Sequence, residues 1–318
     1  MSKISEKLQV KWVEVDAQHS GQRLDNYLLA ALKGVPKSHI YRIVRTGEVR
    51  INKGRVRPDY RLREGDVVRV PPIRTAARED FSHLPSFELE PRVVYEDEFL
   101  LVMDKPSGIP VHGGSGYSLG IIEDLRRSRP QQTYLELVHR LDRETSGCLL
   151  IAKSRGALLS LHASLRNHAE KGIRRTYIAL VRGPWKGAKQ RRVDANLVKN
   201  VVRSGERMVE VSEEGRPSSS GFRLTKQLDH CALVEIELYT GRTHQARVHA
   251  VHIGHPIAGD EKYGDRVFNK QCRQQGLNRL FLHASRLQFV HPDSGKVKII
   301  ETPLSEDLQN YTHRRRLS

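Results

Sequence analysis

The chain reads as an α+β protein in two parts: a small basic module, then a larger domain with a mainly antiparallel or mixed sheet. Three observations predict this. At 318 residues the chain exceeds a typical single domain. Positive charge is concentrated in one stretch near the N-terminus. From Arg92 onward, strand-like and helix-like runs are interspersed without regular strand–helix–strand alternation.

In the module, SGQRLDNYLLAAL sets Leu24, Tyr27, Leu28 and Leu32 at helical spacing. Pro36 suits the first position of a second short helix, PKSHIYRIVRTG, which Gly47 ends. In VRINKGRVR, an Asn52-Lys53-Gly54 turn predicts two short extended pieces joined as a hairpin. VVRVPP predicts a last strand, stopped by Pro71 and Pro72. Between Lys33 and Arg63, ten basic side chains face two acidic ones, Glu48 and Asp59, a net of +8. Solvated helix faces usually mix signs, so this surface is suited to neutralising phosphates. Lys37, Arg42, Arg45, Arg50, Lys53 and Arg55 are its candidate phosphate contacts.

The module is expected over residues 18–80, with a Pro-rich polar linker across 72–90 and the second domain over 91–318. In that domain RVVYEDEFLLVMDKPSG, SGCLLIAK, TYIALVRG, CALVEIELYTG and QFVHPDSGKVKII predict strands. SLGIIEDLRRS, RGALLSLHASLRNH and HQARVHAVHIG predict helices.

The net charge of +17 and a pI near 10.0 suggest a polyanionic partner. No basic amphipathic helix with an aromatic face and no lipidation motif points to a membrane, so nucleic acid is favoured. The longest apolar run is short and the N-terminus lacks a signal-like core, so a cytoplasmic protein is expected. Cys148, Cys231 and Cys272 lie far apart, as reduced thiols do.

Two segments place polar residues where a core pattern would not. In LVHRLDRETSGCLLIAK, Asp142 lies between Arg140 and Arg143, where guanidinium groups would keep it ionised as a nucleophile requires. Asp142 followed by Glu144 and Thr145 equally suits a residue capping a turn. In LYTGRTHQARVHAVHIGHP, a strand ends at Gly241 and a helix opens around His244, with Arg242 and Arg247 placed for phosphate or a carboxylate. His249, His252 and His255 recur every three residues, but this is not HExxH spacing, and no acid follows before Asp260. Capping, packing and phosphate contact explain these histidines more cheaply than a metal. No P-loop and no GxGxxG after a strand is present.

With these segments in place, residues 18–80 resemble the S4 RNA-binding domain through RLDNYL, PKSHIYRIVRTGEVRINKGRV and REGDVVRV. HRLDRETSG resembles the central motif of the RluA family of pseudouridine synthases. DKPSGIPVHGG, RTYIALVRG, GRTHQARVH and LNRLFLHASRLQF with HPDSG follow the family order. GVPKSHIYRIVRTGEVR and VHGGSGYS are similar to members acting on 23S ribosomal RNA. The family's first motif usually has Asn where this chain has Asp104, and its late motif has Ile or Leu where Ala246 stands.

The resemblance implies isomerisation of uridine to pseudouridine in 23S ribosomal RNA without metal or cofactor; a monomer is the default expectation. It implies Asp142 as nucleophile or base, Arg247 as its partner, and Tyr177 stacked under the base. Read by itself, Tyr177 is also an ordinary strand aromatic. The flipped-out base costs a few kcal/mol of unstacking. Arg140 would fill the space it leaves, with His139 and Arg242 as further substrate contacts. Lys105 and Pro106 are expected to shape the loop beside the pocket. The competing readings are an S4-bearing binding protein with a silent second domain, and a metal-dependent nuclease using the histidines.

Overall fold

A computed structural model of the protein describes residues 9–32, 34–73, 85–114, 119–166, 172–203 and 206–314. Lys33 and most of the expected linker, residues 74–84, lie outside the described residues. The chain divides into two compact units, Met1–Pro85 and Ser86–Ser318.

In the first unit, β1 (Lys11–Glu14), α1 (Leu24–Ala31), α2 (Lys37–Arg45), β2 (Arg50–Ile51) and β3 (Val67–Val70) follow in order. The strands form an antiparallel sheet ordered β1-β3-β2. Leu24, Tyr27, Leu28 and Leu32 are all buried, as their spacing predicts, against Ile40, Ile43 and Val44 of α2. Pro36 stands one residue ahead of α2, at its N-cap, where its fixed φ of −56° leads the chain into the helix. Asn52 and Lys53 take φ of +48° and +68°, the left-handed pair of a tight hairpin turn. The expected hairpin is nevertheless not formed. Ile51 bridges only Gly54, and β2 pairs with β3 instead. The Asp66 carboxylate, buried, accepts hydrogen bonds from Asn52 Nδ2, Tyr60 Oη and Arg63 N, fixing the turn against the REGD corner.

The second unit holds β4 (Val93–Glu96), β5 (Leu100–Lys105), α3 (Ile121–Ser128), β6 (Glu136–Leu137), β7 (Ser146–Ala152), α4 (Arg155–Arg166), β8 (Arg174–Arg182), β9 (Gln190–Asp194), β10 (Leu197–Arg203) and β11 (Glu206–Val211). After these come β12 (Ser219–Gln227), β13 (Cys231–Leu238), α5 (Gln245–His252), α6 (Arg266–Gln274), β14 (Leu282–Val290), β15 (Val297–Glu301) and α7 (Glu306–Arg314). Ten strands make one mixed sheet along β4-β5-β7-β14-β8-β13-β12-β9, with β6 on β7 and β15 on β14. β10 and β11 form a separate hairpin. Helices pack on both faces. Ile121, Ile122 and Leu125 of α3 and Ala246 and Ala250 of α5 join one core. Ala157 and Leu161 of α4 seal the other face under β7. Phe268 and Cys272 of α6 and Leu308 and Tyr311 of α7 form a third core with Leu180. Burial on both sides explains why Leu100 to Met103 and Cys148 to Ala152 read as unbroken apolar runs.

Two antiparallel halves meet at one parallel seam, β7 with β14, where His283 and Ala284 stand opposite Ser146 and Gly147. The approach is so close that a Cβ on Gly147, whose φ is +107°, would lie 2.3 Å from the Ala284 carbonyl oxygen. Both the steric clash and the backbone conformation therefore demand glycine. Gly147→Ala is expected to lower the unfolding free energy by about 2–3 kcal/mol, measured by denaturant titration; a loss below about 0.5 kcal/mol would show the seam to be pliable.

Candidate active site

The seam fixes the start of β7, and the loop before it carries Asp142. Asp142 is not a side-chain cap: its backbone carbonyl accepts the Thr145 N–H, and its carboxylate turns toward α5. The loop is tied from below by the Lys105-Pro106-Ser107-Gly108 turn. Lys105 Nζ donates to the carbonyls of Arg143 (2.9 Å) and Pro106 (2.8 Å). Gly108 N–H donates to the same Arg143 oxygen, and Ser107 Oγ donates to the Glu144 carbonyl. Lys105 and its neighbours thus shape the loop, as the sequence predicts.

Lys105 is fully buried, and that burial pushes its pKa down to about 7 from 10.5. Between those values the unfolded chain binds the extra proton, so this lysine's contribution to stability becomes more favourable as pH rises from 7 toward 10. Lys105→Met removes that dependence. The stability gained by wild type over the variant between pH 7 and pH 9.5 should be positive, read by urea titration. Parallel curves would contradict the assignment.

At α5, His244 takes the N-cap position with φ +53°. Gln245, also buried, ties the helix start down. Its Oε1 accepts from Thr240 Oγ1 and Arg242 N, and its Nε2 donates to Ser219 O and Ser220 Oγ. One turn on, Arg247 is buried and extends Nη1 to 3.4 Å from Asp142 Oδ2. The expected partnership exists, but it is the weaker half of what Arg247 does. Its Nε and Nη2 make a bidentate pair with Asp260, at 2.7 and 2.6 Å. Asp260 is 1 % exposed and also accepts the N–H groups of Lys262 and Tyr263. Tyr263 lies under the guanidinium, 5.0 Å from Cζ. Burial opposes the charge on Arg247, while Asp260 and then Asp142 outweigh it and raise its pKa, so it stays a cation.

Asp142 separates two cavities. One, of about 710 Å³, runs past Tyr177, Arg175, Arg242 and Arg140; the other, of about 630 Å³, runs past His112, Arg143 and Arg279. Tyr177 lies on β8 and is 5 % exposed, and burial raises its phenol pKa to about 12. Arg140 and Arg242 are exposed at the wall of the first cavity. His139 also lines that cavity, but its Nε2 accepts the Leu150 N–H, and burial pushes its pKa down to about 3.

The three spaced histidines go to separate partners. His249 bonds Ser218, Ser220 and the Ala195 carbonyl; His255 bonds the Arg182 carbonyl and stacks on Trp185; His252 is exposed. Among the described residues no group of three His, Cys, Asp or Glu side chains is placed to hold a metal. Arg175, His244, Asp260 and Tyr263 were not singled out as site residues from sequence. Only the GRTHQ run, for His244, and the RTYIALVRG motif, for Arg175, gave a signal for any of them.

In the first unit, Lys37, Arg42, Arg45, Arg50, Lys53 and Arg55 are all exposed. Arg55 packs over Gly47, where a Cβ would lie 2.6 Å from its Nε, and Arg50 Nε donates to the Gly47 carbonyl. Arg45, Arg55 and Arg57 line one shallow hollow beside Tyr41. Cations from the α2 end and the following turn are thereby gathered. Among the described residues no helix is long and apolar enough to cross a membrane.

Comparison with known proteins places the chain in a family. The RNA pseudouridylate synthase family profile matches residues 99–252, and the S4 domain profile matches residues 22–68. A protein of Yersinia pestis named ribosomal large subunit pseudouridine synthase C is 53% identical over 95% of this chain and 94% of its own. The protein of that name from Escherichia coli (strain K12) is 53% identical over 94% and 95%. Among solved structures, human RNA pseudouridylate synthase domain containing 4 shares the fold, with a TM-score of 0.58 and 24% identity over 72% of this chain and 94% of that one. Identity of this extent over nearly the whole length, with both profiles in order, establishes that the chain belongs to the RNA pseudouridylate synthase family and carries an S4 domain ahead of its synthase domain.

Proposed function

We propose that this synthase isomerises specific uridines of 23S ribosomal RNA, with Asp142 as the catalytic carboxylate. The observation that carries the reading is Asp142 itself, 27% exposed between two cavities, with Arg247 Nη1 at one oxygen. The names of the 53%-identical relatives supply the large-subunit RNA.

The reaction breaks the N1–C1′ bond, turns the base over and joins C5 to C1′. The C5 proton leaves and N1 gains one, so nothing is oxidised and no group departs. No resident metal or cofactor is required. Asp142, oriented by Arg247, attacks or deprotonates the nucleotide, and Tyr177 stacks under the base and helps remove the C5 proton. Arg140 fills the stack the base leaves, while Arg242 and His139 bound the pocket. The protein acts as a monomer in the cytoplasm. Pseudouridine mapping of ribosomal RNA from cells with and without the gene tests this. Loss of defined 23S sites is expected, and an unchanged pattern would overturn the reading.

The S4 domain supplies affinity. Arg42, Arg45 and Arg55 are three of its exposed cations. Replacing all three by Ala should lower the slope of log K against log salt by about 2, at 0.7–0.9 per phosphate contact. An unchanged slope would remove this face from RNA binding.

A further inference from the structure

His244 is the second group poised at Asp142, on the oxygen that Arg247 does not face. Its Nε2 lies 3.8 Å from Asp142 Oδ1, while Arg247 Nη1 lies 3.4 Å from Oδ2. Its other nitrogen, Nδ1, is 2.7 Å from Tyr263 Oη. That phenol oxygen in turn accepts the Val209 N–H at 3.1 Å. Val209 sits on β11 opposite Lys199, where the β10–β11 register shifts, and its N–H is directed to Tyr263.

The proton count along this chain fixes the histidine's tautomer. A backbone N–H only donates, so it occupies a lone pair of Tyr263 Oη. The phenol proton then needs an acceptor, and among the described residues the one at hydrogen-bond distance is His244 Nδ1. If Nδ1 accepts, the ring's own proton sits on Nε2, facing a carboxylate that can only accept. The opposite tautomer would set a lone pair against Asp142 Oδ1 and leave the phenol proton unplaced.

We propose that His244, held as the Nε2–H tautomer by Tyr263, is a positioning residue that orients the Asp142 carboxylate for isomerisation. The proposal rests on Asp142 being the catalytic carboxylate. With Arg247 at one oxygen and the imidazole N–H at the other, the carboxylate no longer turns freely about its Cβ–Cγ bond. A defined lone pair then faces the nucleotide. The 3.8 Å separation closes to a hydrogen bond when substrate fills the cleft, as contacts in empty sites commonly do. The ring is neutral at the working pH. Burial lowers its pKa first; Asp142 and Asp260 oppose this, and Arg247 and Lys262 reinforce it. Tyr263, from the segment after α5, completes the groups that face it.

The backbone at His244 makes the test selective. At φ +53°, Asn is tolerated better than Gln, so a residue needed only to start α5 would be replaced best by Asn. A donor at the Nε2 position is reproduced by Gln, whereas the shorter Asn amide falls short of Asp142. Single-turnover rates on a short stem-loop should therefore rank His244→Gln well above His244→Asn, the latter about tenfold to a hundredfold below wild type, with RNA affinity unchanged. Tyr263→Phe keeps the ring under Arg247 and should lower the rate about tenfold. In the unmodified protein, ¹⁵N spectra should show an unprotonated Nδ1 and a protonated Nε2 for His244, a signature that needs no variant to fold. Asn matching Gln, an unaffected Tyr263→Phe rate, or a protonated Nδ1 would each overturn the proposal. Asp142→Asn run alongside separates the two claims. If it is inactive while the His244 series is flat, only the positioning role fails; if it turns over, the assignment of Asp142 fails with it.

Discussion

Asp142→Asn is expected to abolish pseudouridine formation, lowering the single-turnover rate by about 10⁴-fold or more. The amide is nearly isosteric but neither attacks carbon nor takes a proton at neutral pH. RNA affinity should stay close to wild type, because the exposed cations of the S4 domain are untouched. Folding should also be spared, and the structure says why. Arg247 keeps its bidentate pair with Asp260 when Asp142 loses its charge, so no buried cation is stranded. A melting temperature within about 2 °C of wild type, with binding intact and turnover gone, is the expected combination. Substantial turnover by the purified variant would remove Asp142 from its role. Loss of binding together with turnover would make the residue structural.

Asp260→Ala has the opposite signature, a large loss of stability. The side chain is buried and holds Arg247 through two short hydrogen bonds, as well as two backbone N–H groups. Removing it strands a guanidinium in a site where the remaining acid, Asp142, is partly exposed and 3.4 Å away. Breaking such a pair costs about 3–5 kcal/mol. For a domain of this size that is a fall of roughly 10 °C in melting temperature. The double substitution Arg247→Met with Asp260→Leu should regain most of that stability, since apolar residues of similar volume often replace a buried pair without loss. It should remain inactive, because Asp142 then lacks its cation. A stable but silent double variant would separate the two duties of Arg247. If Asp260→Ala melts like wild type, the pair is not a structural anchor.

The sequence displayed the residues of the proposed site better than its scaffold. Asp142 and Arg247, 105 residues apart, were legible because each stands in a polar run that interrupts an apolar pattern. Asp260 was not, since a buried acid two turns of chain past a helix looks like any loop carboxylate until its guanidinium is located. β9 escaped notice because its faces are mostly polar: QRRVD buries only Val193. α6 and α7 were hidden by charge, with RVFNKQCRQ burying only Phe268, Asn269 and Cys272. In the S4 domain, the Asn52-Lys53 turn was predicted correctly, but its outgoing strand is replaced by a tertiary pairing with β3, sixteen positions on. Turn chemistry is local, whereas strand partners are chosen by the whole sheet.

The parallel seam also sets a clock. Ser146, four residues past Asp142, bonds His283 across a gap of 137 residues, and Gly147 has its neighbour in Ala284. At translation rates of about 5–20 residues per second, roughly 7–27 s pass between synthesis of the Asp142 loop and arrival of the strand that pins it. By then all residues of the first unit, Met1–Pro85, have long been synthesised. On the proposed function, the part of the chain assigned to RNA affinity is made well before the part assigned to chemistry can be completed.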